Sequence, residues 1–187
     1  RAREREQLAR ELHDTVAHHV SGIAIQAQAG RAIAASHPER AIEAYVAALE
    51  VAPAEPLLLL NLGLARAAQG DLAGAVAAYR QSLQHDPRPY LAEVNLGNAL
   101  DQQGDTTGAV AAYRRAIAVD PTAALAYLNL GTHYLRDDQA ARARPFLEQA
   151  LARDPGLATG HFQLALVLLK AGDLTGAARA VARSLAI

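Results

Sequence analysis

Between Pro56 and Pro89 the apolar positions fall into two helix-length blocks. Leu59, Leu62 and Leu64 lie in the first, and Ala75, Val76, Tyr79 and Leu83 recur at helical spacing in the second. Gly70-Asp71 separates them: the glycine breaks the first helix, and the aspartate is placed to cap the second. Asp86-Pro87 closes the block, because a residue before proline is pushed out of the α conformation. The pattern predicts a pair of helices joined by a tight turn.

The pattern then recurs at a fixed step of 34 residues. Pro53, Pro87, Pro121 and Pro155 form one column, and Ala41, Ala75, Ala109, Ala143 and Ala177 another. Gly63, Gly97 and Gly131 fall in the first helix of each pair, followed in that column by Ala165. A period in this range means one two-helix unit stacked several times. Small residues at fixed places allow helices to approach closely, which must offset about 1 kcal/mol per helical glycine. Repeats are expected at 56–89, 90–123, 124–157 and 158–187. The third departs from the others. Asp138 stands where the turn glycine is expected, and Pro145, early in the second helix, predicts a late start or a kink.

Upstream the pattern changes. Leu8, Leu12, Val16, Val20 and Ile23 step by four, four, four and three, one stripe of a long helix ending before His37-Pro38. A second helix is expected from about Glu39 to Val51. It carries Ala41, Ile42, Tyr45, Ala48 and Leu49, so residues from about 22 onward read as a degenerate first repeat within an N-terminal region spanning 1–52. Such a helix of ~34 residues would be ~50 Å long, some 20 residues more than a repeat needs. The surplus stripe predicts pairing with a second copy.

Composition narrows the function. The 187 residues carry a net charge of -1, which gives no long-range attraction for nucleic acid or an anionic membrane. Cysteine is absent, so there is neither a disulfide framework nor a thiolate metal site. No apolar run approaches the roughly 18 residues of a membrane span. A cytoplasmic location is expected, with no membrane insertion, no cofactor and no metal; His18 and His19 diverge on a helix and make no ligand set. The chain opens on Arg1 and holds no methionine, which reads as a fragment.

The succession Asn95-Leu96-Gly97, Gly104-Asp105, Ala109 and Asp120-Pro121 resembles the tetratricopeptide repeat, and the likeness covers most of the chain. It implies an all-α, helical-hairpin solenoid with a long N-terminal helix, and a groove that binds a protein or an extended peptide. Asn61, Asn95 and Asn129, with Gln163 next in line, would form a ladder of amides. Each amide has a donor and an acceptor, so the ladder suits a peptide backbone of any sequence. Leu60, Val94, Asn98, Leu128 and Phe162 would set selectivity. Lys170 is the sole lysine, so a lysine clamp for a terminal carboxylate is not expected.

The run Glu11-Leu12-His13-Asp14 followed by Val20-Ser21-Gly22-Ile23 resembles the dimerisation and phosphoacceptor helix of bacterial sensor histidine kinases. The resemblance implies a phosphoacceptor at His13, a carboxylate partner at Asp14, and a helper at His18 for dephosphorylating a response regulator. None of that family's Asn-rich and Gly-rich ATP-binding boxes follows, so the chain alone is not expected to use ATP. Two readings stay open. One is a protein-binding scaffold with an inert His13, in bacterial signalling. The other is a phosphorelay component, or histidine kinase fragment, whose His13 is phosphorylated by a separate domain.

Overall fold

The structure, a computed structural model, describes residues 37–86 and 90–187. The described residues form nine α-helices and no strand: α1 Pro38–Val51, α2 Pro56–Gln69, α3 Leu72–His85, α4 Tyr90–Gln102, α5 Thr106–Val119, α6 Ala124–Arg136, α7 Ala140–Arg153, α8 Ala158–Lys170 and α9 Leu174–Leu185. The chain divides after Asp86 into two compact units, α1–α3 in the first and α4–α9 in the second. The all-α helical-hairpin solenoid expected from the 34-residue period is the fold observed.

In the first unit α2 and α3 form a hairpin, and α1 packs on α2. Ala41, Tyr45 and Ala48 of α1 meet Leu58, Leu62 and Ala65 of α2 in one buried cluster. In the second unit three hairpins succeed one another, α4–α5, α6–α7 and α8–α9. The first helices of the hairpins, α4, α6 and α8, also touch in sequence and share one wall.

The turn chemistry follows the sequence closely. Asp71, Asp105 and Asp173 each cap a second helix, accepting from the backbone N–H of Gly74, Gly108 and Gly176 at 2.8, 2.9 and 2.8 Å. The residue before each cap takes a left-handed backbone, with φ of 88°, 83° and 79° at Gly70, Gly104 and Gly172. In the α6–α7 turn Asp138 takes that role with φ 58°, a conformation aspartate tolerates better than most residues. The capping aspartate is lost with it: Gln139 precedes α7 without a side-chain cap.

Two expectations are corrected. Pro145 does not delay α7, which begins at Ala140 and carries the proline in its interior. Burial of Ala143, Leu147 and Ala150 on the inward face of α7 holds the helix where propensity alone would break it. The helical glycines, for their part, admit a side chain more than a backbone. A Cβ on Gly63 would overlap the ring of Tyr79, and one on Gly97 the ring of Tyr113. Both tyrosines are almost fully buried, so each glycine is the socket for the largest fully buried side chain of its hairpin. At Gly131 the occupant is Leu147.

Candidate functional site

The wall formed by α4, α6 and α8 carries four of the five amide side chains that the sequence singles out. Asn95, Asn129 and Gln163 lie at equivalent places on the three helices and are all half-buried. Asn98 and Asn129 are brought into contact: the Asn129 amide donates to Asn98 Oδ1 at 3.0 Å. The Tyr113 hydroxyl donates to the same oxygen at 2.8 Å. Both lone pairs of that oxygen are thereby used. The Asn98 Nδ2 donors and the Asn129 Oδ1 acceptor make no hydrogen bond among the described residues, and both residues line a 220 Å³ hollow with Asp101, Thr132 and Arg136. A free donor beside a free acceptor is what a backbone peptide group requires.

Beneath the hollow lies a cluster that sequence reasoning missed. His133 is buried, and its Nδ1–H donates to Asp101 Oδ1 at 2.9 Å. The other carboxylate oxygen accepts from the Arg136 guanidinium. His133 Nε2 makes no hydrogen bond and faces the Asp137 carboxylate at 3.6 Å. Burial pushes the Tyr113 phenol well above its ordinary value, with the Asp101 carboxylate adding to the effect and Arg136 opposing it. The hydrogen bond to Asp101 raises Arg136 above its own. The available signal was a break in the repeat columns: His133 stands where Ala65, Ala99 and Val167 stand in the other repeats, and Asp101 where Ala67, Leu135 and Leu169 stand.

Next to the hollow, between α6 and α8, a 500 Å³ depression is lined by Thr132, Leu135, Arg136, Gln163, Leu166, Leu169 and Lys170. Lys170 is tied to the exposed Asp138 carboxylate, which it holds below the usual carboxylate range. Exposed Leu91 and Leu125 sit one helical turn before Asn95 and Asn129, on the same face. They belong to the column of Leu57 and extend the apolar part of the wall.

The other predicted residues are distributed differently. Leu60, Val94 and Leu128 are buried and present little surface. Val94 packs with Ala116, Ala123 and Ala126, so its place is in the contact between successive repeats. Phe162, in the same column, is half exposed. Asn61 belongs to the first unit, where it is buried with its Nδ2 lacking a hydrogen-bond partner. His13, Asp14 and His18 lie outside the described residues. Among the described residues no cluster of three His, Asp or Glu side chains could hold a metal ion, and no helix is long and apolar enough to cross a membrane.

Stacked helical hairpins of this kind define a helical-repeat scaffold for protein interaction. The chain is a tetratricopeptide-repeat protein: it matches that family over residues 56–89, 97–138 and 138–187. Residues 4–54 match the histidine kinase family, a stretch that includes all of α1. No curated protein matches the sequence. Similar solved structures include MamA, 25% identical with a TM-score of 0.71, covering 79% of this chain and 86% of that one. PilF of Pseudomonas aeruginosa superposes with a TM-score of 0.83 at 20% identity, over 89% of this chain and 77% of that one. YrrB, described as a TPR protein with an unusual peptide-binding site, gives 0.64 at 15% identity, over 86% and 83%.

Proposed function

We propose that this protein is a scaffold that binds an extended peptide on the wall of α4, α6 and α8 and couples that binding to a histidine-kinase-like N-terminal region in bacterial signal transduction. The observation that carries the coupling is the double membership of α1. It lies within the stretch that resembles histidine kinases, and its Ala41, Tyr45 and Ala48 are packed into the repeat core against α2. A partner held on the repeats is thereby carried on the same chain as the kinase-like segment. The peptide backbone is read by Asn98 Nδ2 and Asn129 Oδ1, assisted by Asn95 and Gln163. Its apolar side chains rest on Leu91, Leu125, Phe162 and the depression around Leu166. The N-terminal stripe from Leu8 to Ile23 pairs two copies of the chain in the cytoplasm.

The test is comparative capture. The parent chain and the Asn98→Ala/Asn129→Ala variant, both immobilised, are exposed to an extract of the source cells. Partners held by the first and lost by the second support the reading; identical sets overturn it.

The match over residues 4–54 favours a second reading in its own right. His13 then accepts a phosphoryl group from a separate ATP-binding domain, with Asp14 holding the imidazole and His18 aiding return of the phosphoryl group to water from a response regulator. Incubation with such a domain and labelled ATP decides it. Acid-labile label that disappears in His13→Ala supports the phosphorelay; no label with a competent domain leaves the scaffold alone.

A further inference from the structure

A second cleft lies behind the peptide wall. At about 100° per residue, His161, Leu164 and Leu168 emerge on the side of α8 opposite Gln163, Leu166 and Lys170. They form the floor of a cleft of about 590 Å³ between α7 and α9. Leu151 of α7 continues the apolar floor, and Arg179 and Arg183 of α9 stand along one edge.

The charges in this cleft are unequally satisfied. Arg144 is paired with Glu148 at 2.8 Å, and the Asp173 carboxylate is used in capping α9. The side chains of Arg179 and Arg183, one turn apart and exposed, make no hydrogen bond or ion pair among the described residues.

The α4–α5 hairpin shows what Arg183 lacks. Its equivalent in the α4–α5 hairpin is Arg115, 68 positions earlier. Arg115 donates through Nε to Glu93 Oε1 at 2.7 Å, and Glu93 is buried at the base of that hairpin. The residue of α8 equivalent to Glu93 is His161, whose Nε2–H donates to the Pro155 carbonyl at 3.0 Å. The same arginine position therefore has a buried internal carboxylate in one hairpin and an imidazole in the other. Arg183 and His161 also line an adjoining hollow of about 280 Å³ that continues towards Ile187. The two hollows run along α9 from Gly176 to its end at Leu185, ~14 Å at 1.5 Å per residue, a shape suited to a length of chain.

We infer that the cleft between α7 and α9 is a second docking site, for an acidic, apolar segment of a partner protein. A carboxylate of that segment pairs with Arg183 as Glu93 pairs with Arg115, a second meets Arg179, and a large apolar side chain covers the partly exposed Leu151 and Leu164. Guanidinium–carboxylate pairs supply orientation, and burial of the leucines supplies affinity. The site is separate from the peptide wall, so both can be filled at once.

The test uses the full chain and a phage library of random dodecapeptides. Sequences that combine Glu or Asp with Leu, Ile or Phe are expected to be enriched. Binding of a labelled winner, followed by fluorescence anisotropy, is expected to weaken about tenfold or more in Arg183→Glu and to stay unchanged in Asn98→Ala. His161→Glu is the sharper variant, since it restores the internal partner seen in the α4–α5 hairpin. It should keep or raise the melting temperature while abolishing binding. Failure to enrich any peptide, enrichment without acidic residues, or binding lost in Asn98→Ala but kept in Arg183→Glu would each overturn the proposal.

Discussion

His133 Nδ1 lies 2.9 Å from Asp101 Oδ1, joining α6 to α4 across 32 residues of sequence. This hydrogen-bonded contact stands where apolar residues occupy the same columns elsewhere in the repeats. It costs desolvation of an imidazole and a carboxylate, and fixes how the two wall helices sit against each other.

Asp101→Ala is expected to lower stability by about 1–3 kcal/mol, because it strands a buried donor on His133 and releases Arg136. In the Asp101→Ala background, His133→Val, which installs the residue found at Val167, should recover part of that loss. Urea unfolding of the two single variants and the double variant measures the coupling, expected at about 0.5–3 kcal/mol. Strictly additive effects would show that the pair is not a unit.

Gly97→Ala tests the socket. Its new methyl overlaps the Tyr113 ring, which must move and give up the hydrogen bond to Asn98. Overpacking of this kind costs about 1–3 kcal/mol, more than the gain in helix propensity of at most ~1 kcal/mol. A lower thermal midpoint is expected, and the same change paired with Tyr113→Leu should recover much of it. A rise in the midpoint of the single variant would contradict the tight fit.

Tyr79 gives a pH prediction. Burial pushes its phenol from 10.0 up to about 12. The folded state thus favours the neutral phenol more than the unfolded state does. The contribution is fully present below pH 10 and declines as pH rises from 10 towards 12, since the unfolded chain releases its proton first. Denaturant midpoints measured across this window should fall more steeply for the parent than for Tyr79→Phe. Parallel curves would mean that the phenol is not held away from water.

The repeats were legible because three of the four hairpins spell out the same devices. Asp71, Asp105 and Asp173 announce caps, glycine announces the left-handed turn residue, and Ala75, Ala109 and Ala143 announce the buried face. The wall was only partly legible. Asn95, Asn129 and Gln163 could be placed on it from their columns, yet Val94 belongs to inter-repeat packing and Leu60 and Leu128 are buried, which periodicity does not separate from an open face. Leu91 and Leu125 could have been found from Leu57, since all three share a column. Asp101–His133 could not be paired from spacing, because each breaks a different column and only folding shows that the two breaks meet. Arg183 is similar: its missing carboxylate is visible only once Arg115 and Glu93 are known to touch.

Pro145 offers a stability gain that the repeats themselves suggest. The column holds Ala77 and Ala111 in earlier hairpins, and Pro145 stands in the interior of α7. There it lacks the N–H that would bond to the carbonyl of Ala141, a loss of about 3 kcal/mol together with the ring clash. Proline also restricts the unfolded chain, which returns up to about 1 kcal/mol. Pro145→Ala is therefore expected to raise stability by about 2 kcal/mol, while Ala111→Pro in α5 should lower it by a similar or larger amount. Because Pro145 is exposed, neither the core around Leu147 nor the cleft floor is altered, and a change in the unfolding midpoint reports the backbone alone. A Pro145→Ala variant no more stable than the parent would mean that α7 accommodates the proline without strain, with Leu147 and Ala150 setting the helix regardless of the missing bond.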